Sequence, residues 1–178
     1  MHGWRWRPHA DYRDRAEEAG DLDRCVDAIE AACGVRPAGF FCRSSESAWT
    51  RALLVERGFV YTSNAFDDDL PYRDPAHPGL VVLPYALDSN DMKFLHPNGF
   101  VRAGEMVDYV EDALETLLAE AARGAPRLLN IGYHLRICGR PGRFPAFERV
   151  LARLAALGDQ VWVARRDAIA RAWVASGG

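Results

Sequence analysis

Residues 80–85 read LVVLPY, an unbroken apolar run set between polar loops. Alternation of apolar and polar residues marks a strand with one wet face, whereas a short run without polar members marks a strand covered on both. Strands of that kind belong to parallel sheets flanked by helices, so this stretch predicts an α/β fold. Upstream, AGFFC at 38–42 and FVYT at 59–62 read as two more strands. Downstream, RLLNIGYH at 127–134 and QVWVA at 160–164 read as another two.

Helical spacing fills the intervals. Leu22, Cys25, Val26, Ile29 and Ala32 share one face of a helix over 21–32, with Gly34 as its stop. A second helix covers 45–57, capped by Ser44 or Ser45 and closed by Gly58. The clearest helix is 104–122, with Met106, Val107, Val110, Ala113, Leu114, Leu117 and Leu118 on one stripe. Two more cover 144–157 and 167–174, and the polar stretches 64–78 and 88–99 read as loops. About five parallel strands with covering helices result. That pattern suits an open doubly wound sheet and a barrel equally. No linker divides the chain, so residues 1–178 are expected to form a single domain.

Composition narrows the classes. The chain is 49% hydrophobic and 26% charged, as globular proteins are, which excludes wholesale disorder. It holds no run of about 18 apolar residues and no apolar core of a signal peptide near Met1. With 22 basic and 25 acidic residues the net charge is −3, which argues against a nucleic-acid surface. Cysteines stand at 25, 33, 42 and 138, spacings of 8, 9 and 96 that fit no zinc motif, so buried thiols in a reducing cytoplasm are expected. Phosphate-binding glycine loops, H-E-x-x-H and the G-x-S-x-G elbow are all missing.

Both candidate architectures place their sites at the carboxyl ends of strands. Arg43 follows AGFFC; Ser63 and Asn64 follow FVYT; Asp88, Asn90 and Asp91 follow LVVLPY; His134 closes RLLNIGYH. A strand-end His is either a proton carrier or a hydrogen-bonded structural residue, and spacing does not separate the two. Arg165 and Arg166 read as the opening of the last helix. His9, His77 and His96 lie beside prolines and read as solvated. Trp4 and Trp6 are costly to leave in water, which predicts that the first residues pack against something.

Seven stretches together resemble one superfamily. They are HGWRW at 2–6, GFFCR at 39–43, ERGFVYTS at 56–63, DDLPY at 68–72, LPYALDSNDMKF at 83–94, IGYHLR at 131–136 and GRPGR at 139–143. In this order they resemble the polysaccharide deacetylases, with the NodB-homology or carbohydrate esterase family 4 fold. The D-x-N-D-M-K-F stretch and the His followed by GRPGR resemble its metal-independent allantoinase branch, of the PuuE type.

The resemblance implies a distorted (β/α) barrel, here incomplete. It implies that the N-terminal strands and the acidic first motif lie outside the chain, which then corresponds to the C-terminal part of the catalytic domain. His2 matches the first His of the family's H-x-x-x-H motif, and Trp6 occupies the place of the second, so no metal is expected. Arg43 matches the third-motif Arg, His134 the last-motif His, and Asp91 the region that orients catalytic groups. The implied reaction is hydrolysis of a carbon–nitrogen bond, the opening of allantoin to allantoate in purine breakdown. His2, Arg43, Asp91 and His134 are the expected catalytic residues. Trp4, Trp6, Asp88, Asn90, Arg136 and Arg140 are expected to hold the substrate. The alternatives are a sugar N-deacetylase and a non-catalytic remnant that binds a ligand or a partner chain. No cofactor, nucleic acid or membrane partner is implied, only a small molecule, either a cyclic ureide or an N-acetylated sugar. An incomplete barrel exposes sheet edges and apolar faces, so a homo-oligomer is expected.

Overall fold

The computed structural model describes all 178 residues and shows a mixed α/β fold. It divides into two compact units, Met1–Pro84 with Ala164–Gly178, and Tyr85–Val163.

The first unit holds the sheet. Its strands are β1 (Gly39–Phe40), β2 (Tyr61–Thr62), β3 (Tyr72–Arg73) and β4 (Val81–Val82), in the order β1-β2-β4-β3. β1 pairs in parallel with β2 through Phe40 and Thr62, and β2 with β4 through Thr62 and Val82. β3 pairs antiparallel with β4 and lies inside the stretch expected to be loop. Its two residues lack the apolar run that identified the others, which suits an edge strand. Leu80, Val81, Val82 and Leu83 are all buried, as the apolar run required.

Helix α1 (Arg15–Cys33) begins six residues before the expected start, because Asp14 caps it by accepting from the backbone N–H of Glu17 at 2.8 Å. The added residues include the buried Glu18, and Asp21 just beyond them is buried as well, which no apolar periodicity signals. Gly34 closes the helix at φ 68°, a left-handed conformation that favours glycine. Helix α2 (Thr50–Glu56) starts later than expected. Ser47, not Ser44 or Ser45, accepts the backbone N–H groups of Trp49 and Thr50. Leu22, Val26, Phe40, Cys42, Leu53, Leu54, Phe59 and Leu80 form the core of this unit.

Helix α3 (Ala103–Ala122), the one-turn α4 (Leu135–Cys138) and α5 (Phe144–Leu157) belong to the second unit. The Glu105 carboxylate accepts the backbone N–H groups of Val101 and Arg102, fixing the start of α3. Val110, Leu114, Val150 and Leu157 join α3 to α5; Phe94, Met106, Ile137 and Ala146 form a second cluster. The stretches expected to be strands at 127–134 and 160–164 form no ladder. The first makes a single parallel bridge, Gly132 with Asn90. In the second, Trp162 and Val163 are exposed. An apolar run becomes a strand only where a neighbour offers its backbone. Helix α6 (Arg166–Ala175) returns to the first unit.

Candidate active site

The bridge at Gly132 builds the site in the second unit. Gly132 donates its N–H to the Ser89 carbonyl at 3.1 Å and accepts from the Asp91 N–H at 2.9 Å. A Cβ on Gly132 would stand 2.1 Å from Asn90 Nδ2 and 2.8 Å from Tyr85 Oη, so only glycine fits. Ser89 Oγ donates to the Asn130 carbonyl at 2.5 Å. Asn90 donates from Nδ2 to Tyr85 Oη at 2.8 Å and accepts the Met92 N–H at 2.8 Å, starting a short 3-10 turn over Asp91–Leu95. Ser89, Asn90 and Asp91 are buried, with every exchange satisfied by a neighbour.

This mount brings Asp91 to His134. One carboxylate oxygen accepts the His134 backbone N–H at 2.7 Å; the other lies 2.7 Å from His134 Nδ1. Asp91 is fully buried and His134 is 27% exposed. A carboxylate at Nδ1 selects the tautomer with its proton there, which leaves Nε2 as the proton-accepting nitrogen. The His134 carbonyl accepts the N–H groups of Ile137 and Cys138, so α4 holds the residue from its other side. The Tyr133 phenol is buried without a partner; burial and the negative charges at Cys138 and Asp91 push it up to about 12.

The remaining expected residues of this unit are exposed. Asp88 accepts from Tyr109 Oη at 2.5 Å, and Arg136 reaches the Met92 sulfur at 3.9 Å. Arg140 follows α4 on the surface. Arg143, which sequence reasoning missed, lies 5.3 Å over the Phe94 ring. Isolated Gly132 inside a strand-like pattern was the readable sign of a close approach.

In the first unit His2, Trp6 and Arg43 come together. The His2 ring lies 5.3 Å from that of Trp6 and 5.4 Å from that of Phe41. The Arg43 guanidinium stands 5.4 Å over Trp6. The first residues pack as expected, Met1 against the core of this unit and His2 against Phe41, although Trp4 is 46% and Trp6 63% exposed. Met1 donates its amino group to the Gly39 carbonyl at 2.9 Å and accepts the Phe41 N–H at 3.0 Å, so the first residue lies along β1. Trp6 offers no ligating atom, and no three His, Cys, Asp or Glu side chains stand together.

Three further readings need correction. His9 is not solvated but buried, its Nδ1 2.8 Å from Glu18. His77 is half-buried; only His96 of the three is exposed. Arg166 does more than open α6. It donates to Ser63 Oγ at 3.0 Å and to the Leu83 and Pro84 carbonyls at 2.6 and 3.1 Å, beyond the ends of β2 and β4.

No protein-family model matches the chain. A Schizosaccharomyces pombe protein named as a polysaccharide deacetylase is 37% identical over 125 residues, 65% of this chain and 39% of that protein. Among solved structures, the PuuE allantoinase superposes with a TM-score of 0.88 at 38% identity, covering 98% of this chain and 58% of its own. A Pseudomonas aeruginosa PAO1 protein named as a polysaccharide deacetylase gives 0.86 at 40% identity, covering 97% and 58%. One from Mycobacterium smegmatis, named likewise, gives 0.80 at 28%, covering 99% and 63%. The chain thus spans less than two thirds of each relative's length. Its sequence and fold are similar, over part of their length, to those of the NodB-type polysaccharide deacetylases.

Proposed function

We propose that the protein is an amide-cleaving hydrolase of the allantoinase type, opening a cyclic ureide, allantoin to allantoate, without a metal. The observation that carries this reading is the His134–Asp91 pair, a partly exposed imidazole whose Nδ1 is fixed by a buried carboxylate. In the proposed step Nε2 of His134 takes a proton from water as the water oxygen bonds to the ring carbonyl carbon. The carbon–nitrogen bond then breaks, and the same proton passes to the departing nitrogen. One water is consumed, leaving a carboxylic acid and a free N–H. General acid–base catalysis of this kind contributes about 10²–10⁴-fold. Asn90 has both ends of its amide engaged, so its part is to hold the mount. The similarity to PuuE allantoinase over 98% of this chain supports the substrate class.

A second reading, removal of an acetyl group from an N-acetylated sugar, is favoured by the names of the other relatives. It uses the same water attack on an acyl carbon, so the substrate decides. The test is to incubate the purified protein with allantoin and with chitin oligosaccharides, following allantoate and acetate. Allantoate release abolished by His134→Ala supports the first reading, and acetate release the second. Release of neither product would overturn both and leave the binding remnant.

A further inference from the structure

Helix α4 and the loop that follows it border an open depression of about 510 Å³, lined by Leu95, Arg136, Ile137, Arg140, Gly142 and Arg143. That volume falls in the range of small-molecule sites. Its wall carries three guanidinium groups, and none is ion-paired within its unit. Arg136 touches a methionine sulfur and Arg143 an aromatic face, while no carboxylate of the unit meets Arg140. Several other arginines of the molecule are ion-paired, as Arg51 is with Glu46 and Asp74, and Arg153 with Glu111. Three cations gathered without an acid repel one another, and a bound anion would remove that repulsion.

The backbone ties this wall to the proposed proton carrier. Ile137 donates its N–H to the His134 carbonyl at 2.8 Å, Arg140 to that of Ile137 at 3.3 Å, and Arg143 to that of Arg140 at 2.8 Å. Bonds at a spacing of three bring successive side chains toward one side. Leu95 and Ile137 add an apolar surface between the cations. Arg143 is half-buried against Phe94, which restricts its fork before any ligand arrives.

We propose that this cavity binds the carboxylate of a small organic acid, gripped by Arg140 and Arg143 with Arg136 at the rim. This rests on the reading that the adjoining site hydrolyses a carbon–nitrogen bond, because such hydrolysis always produces a carboxylic acid. A planar carboxylate matches the guanidinium fork in two parallel hydrogen bonds. The cavity is then where the new acid is drawn away from His134.

The experiment is direct binding, not turnover. Sodium acetate, sodium allantoate and inorganic phosphate are titrated into the full chain at constant ionic strength, with the arginine Nε–H resonances followed by NMR. Saturable binding of a carboxylate is expected, moving the signals that Arg140→Gln and Arg143→Gln remove. Affinity should fall roughly tenfold in either variant. Arg143→Lys, which keeps the charge and loses the fork, should weaken binding as well, while His134→Ala should leave it unchanged. Absence of saturation by either carboxylate, or affinity in both glutamine variants equal to that of the parent, would overturn the proposal. So would saturation by phosphate alone, which would mark a site for the free inorganic ion. If carboxylates bind but neither allantoin nor chitin oligosaccharides are hydrolysed, the cavity stands and the catalytic reading falls.

Discussion

Each unit contains a histidine whose Nδ1 lies against a buried carboxylate, His9 with Glu18 at 2.8 Å and His134 with Asp91 at 2.7 Å. The two pairs differ in what surrounds them. His9 is 1% exposed, held edge-on to Tyr12 and Phe40, with its Nε2 buried and unpartnered. Glu18 accepts from Thr50 at 2.5 Å and from Ser47 as well. His134 is 27% exposed, and the second oxygen of Asp91 is taken by the backbone of His134 itself. In the first pair the carboxylate gathers three separate elements into the core. In the second it holds one imidazole, which is partly exposed. The contact is the same, and exposure of the ring separates the structural pair from the one proposed to move protons.

The comparison breaks most sharply on activity. His134→Ala should lower hydrolysis by two to four orders of magnitude, the range for a lost general acid–base group, with little change in melting temperature. Asp91→Asn keeps the shape but can present an amide N–H to Nδ1, favouring the wrong tautomer, and should also lose most turnover. Turnover by His134→Ala within threefold of the parent would remove this residue from the reaction.

Stability should show the opposite pattern. Glu18→Ala strands the donors of His9, Ser47 and Thr50 in the core and should cost about 3–5 kcal/mol, as breaking a buried pair does. Urea denaturation followed by circular dichroism reads it directly. A loss under 1 kcal/mol would show that the first pair is not the structural one.

A smaller effect tests the mount of the second pair. Gly132→Ala forces a Cβ onto Asn90 Nδ2 and should cost about 1–3 kcal/mol, the usual range for overpacking. Because Asp91 hangs from the Gly132 carbonyl, turnover should fall with it. A variant that loses stability and keeps full turnover would separate the bridge from the site.

The sequence revealed these features unequally. LVVLPY announced a buried central strand because its signal is local, and it lies at β4 as read. Helix α5 occupies 144–157 as its stripe predicts. The stretch at 127–134 carries the same apolar signal yet gains only one bridge, since pairing depends on a partner distant in sequence. Asp91 and His134 were legible as strand-end polar residues, but their contact spans 43 positions and no spacing rule encodes it. Glu18 and His9 were invisible for the complementary reason. Polar residues read as surface until their partners are known, and here four of them satisfy one another in the core.

The mildest prediction concerns acid. Burial opposes ionisation of Glu18, but hydrogen bonds from His9, Ser47 and Thr50 and the charge of His9 outweigh it, holding the carboxyl below its ordinary value of 4.5. A carboxyl with a lower value folded than unfolded binds protons more readily in the unfolded chain. Its contribution is therefore complete above about pH 4.5 and fades as pH falls through the folded value. Melting temperatures measured from pH 6 down should drop on this limb in the parent protein and in His134→Ala alike. In Glu18→Gln, where no proton is left to bind at that position, the limb should be shallower from a lower starting point. Parallel acid limbs in the parent and Glu18→Gln would mean that the acid sensitivity arises at other carboxylates, and that the donors around Glu18 do not favour its charge.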